Sequence, residues 1–151
     1  LMDLGVYNVS YIVGLFGEPN QAKYTANMER GIDTSGILTM DYSGFKAVSI
    51  AAKDCAAPAR YIIQGTKGYI LQKSTANCCG GITFHPNEGK EERYNLNGGR
   101  PREAAEFETF ARAMESGDQE LCTRMQDTSI AVSRVLTVAR RSAGIRFPGE
   151  R

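Results

Sequence analysis

Short turns between stretches rich in β-forming residues constrain the fold of this chain most strongly. Two such turns, at Ser43-Gly44 and Thr66-Lys67, leave only a few residues between neighbouring stretches. Antiparallel strands can be joined this briefly, whereas a parallel crossover needs about a dozen residues or more. The sequence therefore predicts antiparallel hairpins between about residues 21 and 96, with six or seven strands in all.

Alternating side chains indicate that one face of this sheet lies on a core. Ile37 and Thr39 alternate with Leu38 and Met40, and a second period-two pattern runs through residues 46–51. Side chains of a strand point alternately to the two faces of its sheet. We therefore expect one buried face and one exposed face.

Helical stretches flank the predicted sheet. The first runs from about Asp3 to Phe16, and Gly17 and Pro19 prevent its continuation. After Pro101, two further stretches carry apolar residues at helical spacing. They contain Phe107, Phe110, Ala111 and Met114 in one, and Thr128, Val132, Val135, Leu136 and Ala139 in the other. The predicted class is α+β: a large, mostly antiparallel sheet with the N-terminal helix and two C-terminal helices on one face.

Length and composition place limits on function. A chain of 151 residues with a net charge of +1 fits one domain and gives no reason to expect a nucleic-acid or membrane partner. Its four cysteines form no metal-binding or disulfide pattern, so we interpret them as reduced thiols in a cytoplasmic protein and predict no metal site. The arginines near the end are interpreted as a solvated helix face: Arg140, Arg141, Arg146 and Arg151.

The first helix carries two polar side chains within an otherwise apolar stretch. Asp3 and Tyr7 are four residues apart, so a helix places them on one face. Asp3 could cap the helix and Tyr7 could be a half-buried aromatic residue. Alternatively, Tyr7 could exchange protons, which requires a nearby cation to stabilise its phenolate. Gly5 lies between them, and one reason to tolerate a helical glycine is close approach of another group.

No phosphate-binding glycine loop occurs in the chain. Neither the GxGxxG pattern after a strand nor the P-loop pattern is present. The chain as given is therefore not expected to bind a dinucleotide by the usual route.

Several stretches, in matching order, resemble the C-terminal half of the Gfo/Idh/MocA oxidoreductases. They are LMDLGVY, LFGEP, GIDTSGILTMDYSG, IQGTKGYI and SIAVSRVLTVARRSAG. In that family, a Rossmann domain for NAD(P) precedes an α+β domain that shapes the substrate site and commonly the oligomer interface. The resemblance implies that residues 1–151 are this substrate-binding and oligomerisation domain, with the N-terminal Rossmann domain absent from the chain.

The resemblance also implies roles for the first helix. Asp3 matches the family's Asp, and Tyr7 replaces the usual His, as in the dimeric dihydrodiol dehydrogenases and related sugar dehydrogenases. Tyr7 would then exchange a proton with the substrate hydroxyl while hydride passes to NAD or NADP. Asp3 would orient a substrate hydroxyl, and Gly5 would let the helix approach the cofactor. The family's catalytic lysine lies in the Rossmann half.

Further residues can be carried over from the family's substrate pocket. Arg30 and Asp33 fall where the family lines that pocket, and Asp54 and Arg60 are weaker candidates. The expected parent enzyme oxidises a secondary hydroxyl of a sugar, polyol or trans-dihydrodiol, and forms a dimer or tetramer through the sheet face. This chain alone is expected to be inactive. The alternative is a ligand-binding or oligomerisation domain without catalytic activity.

Overall fold

A computed structural model describes residues 1–150, and within them the α+β class is confirmed. Three helices and seven strands occur in this part of the chain. In order, they are α1 (Gly5–Phe16), β1 (Gln21–Glu29), β2 (Ile32–Asp41), β3 (Lys46–Ala52), β4 (Tyr61–Gly65), β5 (Gly68–Gln72), β6 (Ile82–Pro86), β7 (Glu92–Tyr94), α2 (Ala104–Ser116) and α3 (Gln119–Ser142). None of the helices described is both long enough and apolar enough to cross a bilayer.

The strands form two sheets, so the prediction of one large sheet is wrong. β1, β2 and β3 make a three-stranded sheet, and β4 to β7 make a four-stranded one. All neighbouring strands pair antiparallel, as the short turns predicted. The break falls in residues 53–60, where Pro58 has no amide hydrogen to donate to a strand ladder.

The chain divides into two compact units that correspond to these sheets. The first unit contains Leu1–Ala56 and the chain from Glu120 onward, and the second is Ala57–Gln119. The three-stranded sheet, α1 and nearly all of α3 belong to the first unit. Helix α2 belongs to the second unit with the four-stranded sheet, so the placement of all three helices on one face of one sheet is not observed.

The core of the first unit lies between the two helices and one face of the three-stranded sheet. Alternate residues of β2, Leu38 and Met40, are fully buried, whereas Ile37 is exposed. The predicted alternation is therefore confirmed. The core comprises Val9, Ile12 and Val13 of α1, Tyr24 of β1, Leu38 and Met40 of β2, and Val132, Val135, Leu136 and Ala139 of α3. This packing determines which side of α1 remains accessible.

A tight hairpin and a bulge shape the β1–β2 pair. Arg30 and Gly31 have positive φ angles of 52° and 81°, as a two-residue type I′ turn requires. Near this turn the register slips, because Asn27 pairs with Ser35 but Met28 pairs with Asp33. Thr34 is therefore an extra residue in β2, and an extra residue moves the next side chain to the other face. The bulge directs Asp33 to the face that carries Tyr24.

The end of α3 contains a buried arginine, so the interpretation of Arg140 as solvated is wrong. Its side chain is 3% exposed and its guanidinium makes an ion pair with both carboxylate oxygens of Glu150. The guanidinium also lies 4.0 Å from the ring centroid of Phe147 and donates to the carbonyl of Ile145. These contacts hold residues 145–150 against the helix. Arg141 and Arg146 are more exposed, and Arg151 lies outside the described residues.

Gly36 leaves the space that the buried Tyr24 ring occupies. A Cβ atom at Gly36 would lie 2.5 Å from atoms of that ring, and Tyr24 is enclosed by the core.

We expect Gly36→Ala to lower the free energy of unfolding by about 1–3 kcal/mol because the ring must shift. Urea denaturation of the chain measures this loss. Gly44→Ala is the matched control, because a Cβ there meets no heavy atom within 4 Å, and its effect should stay within about 0.5 kcal/mol. Equal stability of both variants would show that the ring is free to move.

Candidate active site

The turn before α1 presents Asp3 to solvent. The helix begins at Gly5 rather than Asp3, and Leu4 occupies the N-cap position without a side-chain capping bond. The capping role considered for Asp3 is therefore wrong. Its carboxylate instead accepts from Lys53, with 2.6 Å between Oδ2 and Nζ. Both side chains are more than half exposed, at 68% and 53%, so this pair is open to a bound molecule.

Lys53 supplies a cation that the helix itself lacks. It follows β3 directly, and its backbone amide donates to the carbonyl oxygen of Thr34 at 2.7 Å. This bond ties Lys53 to the bulge in β2. The hydrogen bond to Asp3 raises the pKa of Lys53, and the charge of Asp33 acts in the same direction. Lys53 was missed from the sequence because only the pairing of β2 with β3 brings it beside Asp3.

Asp33 is held beside the core by Tyr24. The Tyr24 hydroxyl donates to Asp33 Oδ2 at 2.9 Å. Burial acts to raise the pKa of Asp33, and the hydrogen bond from Tyr24 acts to lower it. Burial also raises the pKa of Tyr24, and the bond to Asp33 adds to that shift. Tyr24 is therefore a hydrogen-bond donor, and its hydroxyl stays protonated at neutral pH.

Tyr7 lies on the accessible side of α1. It is 47% exposed, and its hydroxyl has no hydrogen-bond partner among residues 1–150. Two neighbours fix this orientation. Val9 is fully buried in the core, and the Asn8 amide donates to Ser49 Oγ at 2.9 Å, which attaches the helix to β3. The hydroxyl of Tyr7 is thus available to a molecule bound outside the helix.

Gly5 is buried, and the side chain of Leu1 lies over it. A Cβ atom at Gly5 would lie 3.1 Å from Leu1 Cδ1. The close approach expected at this glycine is therefore made by a leucine side chain. That Gly5 also faces a cofactor stays a prediction.

Arg30 is placed away from the other candidates. It occupies the tip of the β1–β2 turn, its side chain is 89% exposed, and its nearest ion-pair partner is the adjacent Glu29 at 3.6 Å. No hydrogen bond or ion pair among the described residues joins Arg30 to Asp3 or Asp33. Of the residues carried over from the family, the structure groups Asp3 and Asp33 around Lys53. That Arg30 lines a substrate pocket stays a prediction.

Two known proteins are similar in sequence to this chain. The chain is 27% identical over 151 residues to the scyllo-inositol 2-dehydrogenase (NADP(+)) IolU of Bacillus subtilis. It is 28% identical over 155 residues to the uncharacterized oxidoreductase YgjR of Escherichia coli. Both alignments cover 99% of this chain but only 46% and 45% of the relatives, so the chain spans about half their length. No protein-family model matches it.

A solved structure shows the same fold. Aldose-aldose oxidoreductase from Caulobacter crescentus, in complex with glycerol, superposes with a TM-score of 0.74 over 95% of this chain and 45% of its own. The identity is 16%, so this match bears on the fold alone. The resemblance to the C-terminal half of the Gfo/Idh/MocA oxidoreductases is confirmed. Within that fold, Asp3 lies in the turn before α1 and Tyr7 lies in α1 itself.

Removing the Tyr24 hydroxyl should change how Asp33 titrates. Because the Tyr24 hydrogen bond acts to lower the pKa of Asp33, this bond stabilises the fold while the carboxyl group is ionised, and that contribution is lost as the pH falls. We expect Tyr24→Phe to raise the pKa of Asp33, because one of its donors is gone. A carbon-13 NMR titration of the carboxyl groups measures it. In the control Tyr42→Phe, the lost bond goes to the Gly17 carbonyl, so Asp33 should be unaffected. An unchanged Asp33 pKa in Tyr24→Phe would contradict this account.

Proposed function

We propose that this chain is the C-terminal, substrate-binding domain of an NAD(P)-dependent oxidoreductase. Its substrate would carry a secondary hydroxyl, as a sugar, polyol or trans-dihydrodiol does. The observation that carries the proposal is the exposed, unpartnered hydroxyl of Tyr7 in the first turn of α1, four residues after the accessible carboxylate of Asp3. The activity for which IolU is named supports it, since inositol is polyhydroxylated and the enzyme uses NADP(+).

Tyr7 would act on the proton of the substrate hydroxyl. An acid–base group must lie within hydrogen-bond reach of the proton it moves, and an exposed hydroxyl without an internal partner meets that condition. A tyrosine hydroxyl ionises near pH 10, so proton removal at neutral pH needs a neighbouring cation. The family places a lysine for this purpose in the preceding domain, which would also hold the nicotinamide.

The pair of Asp3 and Lys53 would orient the substrate. A carboxylate accepts hydrogen bonds from hydroxyl groups, and an ammonium group donates to hydroxyl oxygens. Because the two groups lie 2.6 Å apart and are both accessible, neighbouring hydroxyls of a polyol could contact both. Asp33 lies deeper and is occupied by Tyr24, so in this proposal it acts on Lys53 through charge rather than on the substrate.

The residues described here do not hold the cofactor by themselves. Leu1 fills the space over Gly5, and the chain has no glycine-rich loop at the start of a helix to bind a pyrophosphate. When bound, NAD(P) supplies the hydride-accepting chemistry. Its binding is therefore assigned to a Rossmann domain preceding residue 1, and this chain alone would be inactive.

Tyr7→Phe in the full-length protein tests the assignment, because it removes only the hydroxyl. We expect kcat for NAD(P)-dependent oxidation of a polyol or aldose to fall by about 10²–10⁴, as is typical for acid–base groups. A panel of inositols, aldoses and trans-dihydrodiols, followed by cofactor absorbance, measures it. Tyr42→Phe is the control, since that hydroxyl bonds the Gly17 carbonyl at the far end of α1.

The two outcomes separate the proposal from its alternative. An active parent that is indifferent to Tyr7→Phe would remove Tyr7 from the proton transfer. A folded parent that binds the cofactor but oxidises none of the panel would favour the alternative, a ligand-binding or oligomerisation domain without catalysis.

The outer face of the three-stranded sheet is proposed as a homo-oligomer interface. Ile37, Val48 and Ile50 are 47%, 57% and 69% exposed, and Ile37 pairs directly with Ile50. β-Branched apolar side chains grouped on an exposed sheet face favour burial against a second surface. A second copy of the same face would bury them by two-fold symmetry. The resemblance to a family that commonly associates through this sheet supports the dimer or tetramer.

Ile50→Glu tests this interface. We expect the charge to weaken association of the full-length protein about tenfold or more, because it would have to be buried among apolar side chains. Light scattering after size-exclusion chromatography over a concentration series measures it. Leu96→Glu is the control, since Leu96 is 89% exposed and belongs to the second unit. If Ile50→Glu leaves the oligomer intact, this face is not the interface.

A further inference from the structure

The second unit contains a cleft, and none of the residues given a role in the proposed oxidoreductase activity lines it. It encloses about 750 Å³, which is within the usual range for small-molecule sites. All of its lining residues lie in the second unit, on the β4–β5 hairpin and the segments on either side. They are Pro58, Ala59, Arg60, Ile62, Gln64, Tyr69, Leu71, Lys73, Ser74 and Thr75.

One face of the hairpin forms the apolar floor of the cleft. Ile62 pairs with Leu71 and Gln64 pairs with Tyr69, so these four side chains share one face. The Tyr69 ring is stacked on His85, with 4.5 Å between ring centroids and 14° between the ring planes. This stacking keeps the ring in one orientation. The floor therefore offers a flat aromatic and aliphatic surface with one amide group.

Two cations at the sides of the cleft lack partners. Arg60 and Lys73 make no ion pair or hydrogen bond with any residue among positions 1–150. No acidic side chain lines the cleft. Most other arginines of the second unit form ion pairs. Arg93 pairs with Glu91, and Arg100 pairs with Glu108. Two unpaired positive charges beside an apolar surface favour an anion.

Ser74 provides a separate indication that the cleft takes a ligand. Its hydroxyl oxygen is buried and has no hydrogen-bond partner in the described part of the chain. Buried hydroxyl groups are normally hydrogen-bonded, and each exception calls for an explanation. Ser74 is one of the lining residues, so rotation of its side chain would bring this hydroxyl to a ligand oxygen in the cleft.

We propose that this cleft binds a small organic anion, made of an apolar ring and one carboxylate or phosphate group. The ring lies on Ile62, Leu71 and Tyr69, and the anionic group lies between Arg60 and Lys73, where it accepts charge-assisted hydrogen bonds. Ser74 donates to the same group. This site shares no residue with the proton transfer proposed for Tyr7, which belongs to the first unit.

Calorimetric titration of the chain with four probes tests the proposal. Benzoate and phenyl phosphate carry both the ring and the charge, benzyl alcohol carries only the ring, and inorganic phosphate carries only the charge. We expect the two aromatic anions to bind about tenfold or more tightly than either partial probe. Amide shifts in nitrogen-15 NMR spectra should locate binding at residues 58–64 and 69–75.

A pair of charge variants completes the test. Arg60→Gln with Lys73→Gln should weaken benzoate binding about tenfold or more, since both charged donors are lost. Lys67→Gln with Lys90→Gln removes the same charge from the same unit outside the cleft lining, and should leave binding unchanged. An equal loss of benzoate binding in both double variants would show that net charge alone is responsible, which would contradict the proposed site. Binding of benzyl alcohol as tight as benzoate, shifts located elsewhere, or no binding of either aromatic anion would overturn the proposal.

Discussion

The packing of α1 and α3 on the inner face of the three-stranded sheet is the constraint on which the candidate active site depends. Val9 of α1, Met40 of β2 and Ala139 of α3 are completely buried in one cluster. Truncating side chains of this kind typically costs about 2–5 kcal/mol, so the helix has little freedom to rotate. With Val9 directed inward and Asn8 bonded to Ser49, Tyr7 can only face outward. The accessibility of Tyr7 thus follows from the core.

Tyr24 links that core to the charged groups at the start of α1. Its ring passes over Gly36, where no Cβ could be accommodated, and its hydroxyl reaches Asp33. Asp33 in turn attracts Lys53, which holds the carboxylate of Asp3. The pair of Asp3 and Lys53 is exposed, and such pairs contribute only about 0–1 kcal/mol to stability. Its significance therefore lies in the chemistry that it offers to a substrate rather than in holding the fold together.

The alternation in the first unit has consequences for both of its faces. The same period that directs Leu38 and Met40 into the core directs Ile37, Val48 and Ile50 toward solvent. A single bulge at Thr34 interrupts this alternation, and it does so beside the candidate site. Without the extra residue, Asp33 would lie on the outer face with Ile37, remote from Tyr24. Bulges often re-aim side chains next to functional sites, and this one has that effect.

Local sequence was enough to determine the elements and their pairing. Period-two and helical patterns located the strands and helices, Gly17 marked the end of the first helix, and brief turns required antiparallel neighbours. These signals are local because each depends on a few consecutive residues.

Only the tertiary structure decided which distant groups meet. Three features depend on contacts between residues far apart in the chain or on an irregular segment. They are the division into two sheets, the position of Lys53 beside Asp3, and the burial of Arg140 against Glu150. A lysine after a strand or an arginine near a helix end is ordinarily solvated, and composition carries no sign of its partner. Long-range packing selects that partner, because the free energy of burial is shared by all the side chains that form the core.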